Sequence, residues 1–207
     1  MSDAGSDSSN EIRIRNRALR RSIGDAQRAD ASAMVSEAIS NILGSRRPGR
    51  IATYMATDGE IDPAPLRTLL EPLGWQFHLP VIEPLTAERL AGSAAASSTG
   101  MTFRRWSPDM MLVPNRFGIM EPDESSPAVA VADLDVVIVP SVALDLGGNR
   151  IGMGAGYYDR AMALPKESRP ELIGVVFEAQ LVPRIETNEW DIPVDVIVTE
   201  GRSARAG

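Results

Sequence analysis

The chain has 207 residues, 43% of them hydrophobic and 24% charged, which is the ordinary composition of one globular domain. Its net charge of −7 argues against a nucleic-acid partner, because such a partner requires a broad basic surface. Cysteine is absent, and Lys166 and His78 are the only lysine and histidine, which excludes disulfides, thiolate nucleophiles and histidine-rich metal sites. No apolar run is long enough to span a membrane and the acidic N-terminus is no secretory signal, so we expect a cytoplasmic protein without a membrane partner.

Apolar periodicity and breaker residues predict helices and strands in alternation. The elements predicted up to Trp106 are helices over 11–23, 26–43 and 63–73 and strands over 50–55, 75–80 and 101–106, the last at an edge of the sheet. Asp25 and Asp62 are the predicted caps of the second and third helices. Residues 1–9 are polar and are expected to be a disordered tail, and residues 91–100 a surface loop of small side chains.

The strongest strand signal lies in the second half of the chain. Asp133 to Pro140 is a continuous β-branched run, which indicates burial on both faces, as in a parallel sheet. A helix is predicted from about Gly156 to Leu164, and further strands over 171–177 and 194–199. Strands alternating with helices indicate a single α/β domain over residues 10–200, followed by a C-terminal tail over 201–207.

The segment Gly147–Arg160, which reads GGNRIGMGAGYYDR, starts just past the carboxyl end of this strand and leads into the predicted helix. Ligands of open α/β sheets bind at the carboxyl ends of the strands. Gly152, Gly154 and Gly156 allow the backbone to approach a ligand closely and to expose N–H groups, and the helix N-terminus adds partial positive charge. We therefore predict a phosphate-binding loop.

Two charged side chains strengthen the phosphate prediction. Arg150 supplies a planar bidentate donor for phosphate oxygens, and Asp159 can hold Mg²⁺ together with waters and phosphates. The segment is neither a Walker A loop, which needs GK[ST], nor a good dinucleotide fingerprint. The alternative is a tight glycine turn in which Tyr157 and Tyr158 are core aromatics.

Several blocks, taken in order along the chain, resemble the 5-formyltetrahydrofolate cyclo-ligases, also called methenyltetrahydrofolate synthetases. The longest is DVVIVPSVALDLGGNRIGMGAGYYDR over 135–160, and the others are Leu19-Arg20, 54–62, 79–81, 115–122, 189–193 and 197–200. The resemblance extends from about residue 12 to residue 200. It implies a three-layer α/β/α sandwich with a mostly parallel sheet, resembling the NagB/RpiA/CoA-transferase-like fold.

The resemblance also implies a reaction. Members of the family use Mg-ATP to convert 5-formyltetrahydrofolate to 5,10-methenyltetrahydrofolate: the formyl oxygen is phosphorylated, N10 attacks the activated carbon, and phosphate leaves. Phosphoryl transfer depends mainly on positioning and charge neutralisation, so the scarcity of nucleophilic side chains is no obstacle. We expect a small-molecule folate substrate, ATP and Mg²⁺ as cofactors, and a monomer, with a dimer as the alternative.

Residue roles follow from matching positions. The implied ATP contacts are Arg20, Arg150, Gly152, Met153, Gly154, Ala155, Gly156, Tyr157 and Tyr158. The implied folate contacts are Met55, Glu60, Met153, Gly154, Ala155, Gly156 and Tyr157. Asp159 and Asp191 are the implied Mg²⁺ ligands, and Arg150, Tyr157 and Glu60 are the expected catalytic residues.

Two departures from the family pattern keep alternatives open. Asn16 stands where the family has a lysine, with Arg13 or Arg17 as replacements, and Leu144 stands where a pterin-side aromatic is usual. These departures motivate one alternative, a non-catalytic folate- or nucleotide-binding regulator on the same fold. Another is a different enzyme, such as a sugar-phosphate isomerase.

Overall fold

The computed structural model describes residues 8–83 and 100–207. Residues 1–7 of the tail predicted over 1–9, and residues 91–99 of the loop predicted over 91–100, lie outside the described residues. The helices are α1 (Ser9–Ser22), α2 (Asp25–Leu43), α3 (Ala64–Leu70) and α4 (Tyr157–Ala161). The strands are β1 (Arg50–Ala52), β2 (Gln76–Ile82), β3 (Met101–Arg105), β4 (Leu112–Pro114), β5 (Met120–Pro122), β6 (Ala128–Val129), β7 (Val136–Pro140), β8 (Ala143–Leu144), β9 (Arg150–Ile151), β10 (Glu171–Val175), β11 (Val196–Val198) and β12 (Ser203–Arg205).

Eight strands form one sheet in the order β12-β11-β10-β7-β1-β2-β3-β6. The run from β11 to β2 is parallel throughout, whereas the pairs β11–β12, β2–β3 and β3–β6 are antiparallel. The prediction of a mostly parallel α/β sheet is therefore confirmed. Strand β7 lies near the middle of the sheet, and its carboxyl end faces the same edge as those of its parallel neighbours β1 and β10.

Both faces of the sheet are buried, as the β-branched run of β7 predicts. Val136 and Ile138 belong to an apolar cluster with side chains of α2 and α3, whereas Val137 and Val139 pack into a cluster on the opposite face. In the described part of the chain, α4 and loop segments cover that second face. Helix α1 lies beside β8 and β9, where Ile12 packs with Val142 and Ile151.

The chain termini differ from the sequence predictions. Ser8 and Ser9 are ordered, because Ser8 and Glu11 form a capping box: the Ser8 N–H donates to Glu11 Oε2 at 2.8 Å, and the Glu11 N–H to Ser8 Oγ at 3.4 Å. At the other end, Ser203–Arg205, predicted only as part of a tail, form the edge strand β12.

Three internal predictions also need correction. Strand β3 is not at an edge, because the short strand β6 pairs with its outer side. The helix after the Gly-rich loop ends at Ala161 rather than Leu164, and α2 begins at Asp25 with Gly24 as its cap.

Among the described residues, no helix is long and apolar enough to cross a membrane.

Candidate active site

The carboxyl ends of β1 and β7 open into a cavity of about 1130 Å³. Three parts of the chain provide most of its wall: residues 54–60 after β1, the segment 150–160, and the loop 185–192. All residues predicted to bind ATP, folate or Mg²⁺ line this cavity except Arg20. The structure therefore brings the predicted site residues other than Arg20 together around one cavity.

Three arginines surround the glycines of the loop. A Cβ atom on Gly152 would lie 3.9 Å from the guanidinium of Arg150, and a Cβ on Gly154 would lie 3.9 Å from that of Arg13. A Cβ on Gly156 would lie 2.9 Å from Arg160 Nη1. Gly154 and Gly156 have φ angles of 96° and 66°, which favour glycine.

Two of these arginines hold the loop by its carbonyl groups. Arg13 Nε donates to the Gly152 oxygen and Arg160 Nη1 to the Ala155 oxygen, both at 2.9 Å. In contrast, no described group accepts a hydrogen bond from the backbone N–H groups of residues 152–156. The loop thus presents positive charge and amide donors to the cavity, which is an arrangement suited to an anion.

Arg150 and Asp159 form an ion pair at the centre of this wall. Arg150 Nη2 lies 2.5 Å from Asp159 Oδ1, and the Arg150 side chain is only 7% exposed. The buried Nε of Arg150 has no hydrogen-bond partner among the described residues. Asp159 Oδ1 also accepts from the Ile192 N–H at 3.2 Å, which ties the loop 185–192 to α4.

The two predicted Mg²⁺ ligands both line the cavity, and each has one carboxylate oxygen engaged. Asp191 Oδ2 accepts from the Asn188 N–H at 2.8 Å, and Asp159 Oδ1 is held as described above. The second oxygen of each carboxylate accepts no hydrogen bond from a described residue. Within residues 8–83 and 100–207, no three acidic, histidine or cysteine side chains cluster as a metal site. The donor set therefore fits a cation held by one or two carboxylates together with phosphate oxygens, as Mg²⁺ usually is.

Arg20 does not line the cavity. Its side chain is 1% exposed. Arg20 Nε donates to the carbonyl oxygen of Asp58 at 2.8 Å, and Arg20 Nη2 donates to Asp58 Oδ2 at 2.7 Å. The remaining Nη1 lies 3.4 Å from Glu60 Oε1. In this structure Arg20 supports the turn that carries Glu60, and its contact with ATP stays a prediction.

Glu60 faces the cavity from this turn. The Thr57 N–H donates to its Oε2 at 3.0 Å, and its side chain is 11% exposed. Burial raises the pKa of Glu60 above the ordinary value, and the positive charge of Arg20 opposes that rise. Burial also raises the pKa of the Tyr158 hydroxyl, with a further contribution from Glu60. Tyr158 is consequently neutral at physiological pH and can donate a hydrogen bond.

The hairpin of β4 and β5 contributes residues to which the sequence prediction gave no role. Arg116 Nη2 donates to the Tyr157 hydroxyl, and the Phe117 ring lies edge-on to the Tyr157 ring at 6.5 Å between centroids. Asn115 holds the tip of this hairpin, because its Oδ1 accepts from the Phe117 N–H at 2.9 Å and its Nδ2 donates to Glu121 at 3.0 Å. The block 115–122 was visible in the sequence as part of the resemblance, but its contact with Tyr157 depends on tertiary structure.

Both departures from the family pattern have a structural explanation. Asn16 is buried and its amide donates to the Gln180 carbonyl at 3.4 Å, while Arg13, one turn earlier, binds the Gly-rich loop. Arg17, the other candidate replacement, is paired with Asp58 instead. The expectation that Leu144 occupies a pterin-side position is wrong, because Leu144 is fully buried in the core and does not line the cavity.

Comparison with known proteins identifies the family. The model of the 5-formyltetrahydrofolate cyclo-ligase family matches residues 5–200. The chain belongs to this family. The 5-formyltetrahydrofolate cyclo-ligase of Haemophilus influenzae is 32% identical over 190 residues, covering 91% of this chain and 96% of the relative. The Escherichia coli K12 enzyme of that name is 34% identical over 153 residues, covering 73% and 78%.

Solved structures agree with this family. The 5,10-methenyltetrahydrofolate synthetase of Aquifex aeolicus is similar with a TM-score of 0.78 and 31% identity, covering 96% of this chain and 92% of that one. The synthetase of Mycoplasma pneumoniae has a TM-score of 0.71 at 16% identity, covering 94% and 99%, which shows the shared fold. The predictions of family, fold class and a folate-dependent ligase are confirmed.

Proposed function

We propose that this chain converts 5-formyltetrahydrofolate to 5,10-methenyltetrahydrofolate in an Mg²⁺-dependent reaction that consumes ATP and releases ADP and phosphate. The observation that carries the proposal is the polarity of the cavity. Three guanidinium groups, those of Arg13, Arg150 and Arg160, lie around the Gly-rich loop, beside backbone N–H groups that pair with no residue in the described part of the chain. Another part of the wall is apolar and includes Met55, with the carboxyl group of Glu60 nearby in the chain. One cavity thus suits a triphosphate and a flat heterocycle together.

The phosphate side of the site supplies charge neutralisation. Arginine is a strong bidentate phosphate donor, and donors already in position stabilise the charge that develops in phosphoryl transfer. We assign this role to Arg150, whose orientation is fixed by Asp159, with Arg13 and the loop amides as further donors. The free oxygens of Asp159 and Asp191 would hold Mg²⁺, which supplies additional neutralisation when bound.

The folate side of the site supplies positioning. The formyl oxygen attacks the γ-phosphorus and ADP leaves; N10 then attacks the formyl carbon, loses its proton, and the oxygen departs with phosphate. None of these steps requires a covalent bond to the protein, so alignment of the reacting atoms accounts for most of the catalysis. We assign to Glu60, which lines the cavity, the role of accepting hydrogen bonds from N–H groups of the folate. Tyr157, which is oriented by Arg116 and packed against Phe117, would contact both substrates.

The proposed function is tested by incubating the purified protein with 5-formyltetrahydrofolate and Mg-ATP while recording the absorbance of the methenyl product. Product must appear, and omission of ATP or chelation of Mg²⁺ must abolish it. A protein that binds folate or ATP but forms no product is the regulator instead, and the proposal is then wrong. Stabilisation by a sugar phosphate, with no effect of ATP on thermal unfolding, would favour the isomerase.

A further inference from the structure

A buried carboxylate lies between two chain segments on the phosphate side of the site. Asp145 is in the turn between β8 and β9 and is 3% exposed. Its Oδ1 accepts from the Asn149 N–H, and its Oδ2 accepts from the Asn149 side-chain amide, both at 2.9 Å. Ile185 is 40 residues away in the chain, and its N–H donates to the same Oδ2 at 2.9 Å. One side chain therefore joins the β8–β9 turn to the beginning of the loop 185–192.

Both segments that Asp145 joins carry residues that we assign to ATP and Mg²⁺. The β8–β9 turn leads directly into Arg150, and the loop 185–192 carries Asp191. Arg150 and Asp191 both line the cavity, whereas Asp145 does not. Asp145 can therefore affect the site only through the positions of the two segments that it joins.

The loop 185–192 lies between two points at which the main chain is bound to the β8–β9 hairpin. The N–H groups of Val182, before the loop, and Val194, after it, each donate to a hairpin carbonyl at 2.9 Å. The bond from the Ile185 N–H to Asp145 holds the loop at the residue where it begins to line the cavity. Its loss would leave the cavity-lining part of the loop less restrained at that end.

The bonds at Asp145 require a carboxylate. Its two oxygens together accept from three N–H donors, whereas the amide of an asparagine has one acceptor oxygen and one donor group. In either orientation, the amide of Asp145→Asn would turn its NH₂ group toward an N–H group of Asn149 or Ile185. A buried N–H that loses its acceptor is costly, so the chain is expected to shift until water or another acceptor is reached.

We propose that Asp145 is a positioning residue for Mg-ATP, a role that rests on the function proposed above. It fixes the loop that carries Asp191 relative to Arg150, so that the two side chains are held in place before the nucleotide binds. Groups that hold the ligands of a metal site in place typically change metal affinity or activity about 10- to 100-fold when they are lost.

The chain offers a matched control at the opposite edge of the sheet. Asp195 directly precedes β11, and its Oδ2 accepts from the Leu172 N–H at 2.8 Å, while its Oδ1 accepts from Arg169 Nη2 at 2.9 Å. It thus also joins two segments through a backbone N–H, but at the amino ends of β10 and β11 and away from the cavity wall. Asp195→Asn makes the same chemical change without touching the phosphate side.

The test is calorimetric titration with Mg-ATP in the absence of folate, which measures binding without turnover, together with the melting temperature of each free protein. For Asp145→Asn we expect the Kd for Mg-ATP to rise about 10- to 100-fold. The Kd for 5-formyltetrahydrofolate should change less than about threefold, because the assigned folate contacts Met55 and Glu60 lie after β1. Asp195→Asn should lower the melting temperature and leave the Kd for Mg-ATP unchanged.

A second variant keeps the proposal testable if Asp145→Asn does not fold. Asn149→Ala removes one of the three donors and keeps the other two, both of which are backbone N–H groups. We expect it to fold and to raise the Kd for Mg-ATP about 3- to 10-fold, as for one hydrogen bond. An Asn149→Ala protein that binds Mg-ATP like the wild type would overturn the proposal.

Three other results would also overturn it. Asp145→Asn could lower the melting temperature but bind Mg-ATP like the wild type, which would mean that Asp145 only stabilises the turn. It could weaken the binding of folate as much as that of Mg-ATP, or Asp195→Asn could weaken Mg-ATP binding equally. Either result would show a general loss of structure.

The titration also separates this proposal from the proposed function. If the wild type binds Mg-ATP but forms no methenyl product, the function is wrong, and weaker Mg-ATP binding by Asp145→Asn still supports its positioning role. If product forms and Asp145→Asn binds Mg-ATP like the wild type, only the role of Asp145 is wrong.

Discussion

Asp58 joins α1 to the turn that carries Glu60, and its removal is expected to be costly. Its Oδ2 accepts from Arg17 Nε at 2.8 Å and from Arg20 Nη2 at 2.7 Å, and Arg21 binds its Oδ1. Asp58→Asn removes the charge but keeps the shape, and asparagine tolerates the φ of 51° at this position.

The size of the effect follows from the burial of the partners. Breaking a buried ion pair by removing one partner costs about 3–5 kcal/mol, because the other charge remains buried. Arg20 is buried but retains Glu60 at 3.4 Å, so we expect the lower end of that range. Arg17 and Arg21 are partly exposed and add little. We therefore expect Asp58→Asn to lower the free energy of unfolding by about 3 kcal/mol at neutral pH.

The pH dependence provides an independent check. Burial raises the pKa of Asp58, but the hydrogen bonds from Arg17, Arg20 and Arg21 outweigh burial and hold that pKa well below its ordinary value. A carboxyl whose pKa is lowered by folding contributes stability that is complete above its unfolded pKa and is lost as the pH falls toward its folded pKa. The difference between wild type and variant should therefore shrink as the pH falls below about 4.

The assay is urea unfolding of both proteins across this pH range, with Asp25→Asn as the control. Asp25 also pairs with an arginine, Arg28, but its side chain is 99% exposed, so little change is expected there. A neutral-pH difference below about 1 kcal/mol, the value of an exposed pair, would refute this account of Asp58. A difference that widens in acid would refute it as well.

Three further substitutions test the phosphate side of the site. Arg150→Ala should lower kcat/KM about 10²- to 10³-fold in steady-state kinetics. Arg169 is the control, because its side chain is also 7% exposed and ion-paired, and Arg169→Ala should change stability but not turnover. Equal losses of kcat/KM in the two variants would contradict a phosphate role for Arg150. Asp159→Asn should raise the Mg²⁺ concentration needed for half-maximal rate, and an unaltered Mg²⁺ titration would count against that ligand. Gly156→Ala should lower both the melting temperature and the affinity for ATP, because Gly156 has a φ of 66° and a Cβ there would lie 2.9 Å from Arg160 Nη1. Thermal unfolding with and without ATP measures both effects, and unchanged values would show that the loop tolerates a side chain.

The sequence predicts much of the fold because local signals agree with the tertiary arrangement. The β-branched run ending at Pro140 indicates a strand buried on both faces, and β7 is such a strand. The edge strand β12 could not be predicted in this way, because Ser203–Arg205 are held by pairing with β11 rather than by any apolar pattern of their own. The order of β3 and β6 likewise depends on which strands meet in the folded sheet.

The sequence also locates the candidate site but not the partners of its side chains. Gly152, Gly154 and Gly156 indicate a loop that approaches a ligand, and all three line the cavity. Arg20 donates a hydrogen bond to Asp58, which is 38 residues away in the chain. No local sequence pattern predicts such a contact.

The most direct test of the proposed reaction is the ratio of ADP to 5,10-methenyltetrahydrofolate formed when the protein is given 5-formyltetrahydrofolate and Mg-ATP. Both products should be quantified in the same reaction mixture, with the slower Arg150→Ala variant as the comparison. The proposed reaction predicts one ADP for each methenyl product, and a rate that falls together for both in the variant. Methenyl product formed without ADP, or ADP released without methenyl product, would contradict it.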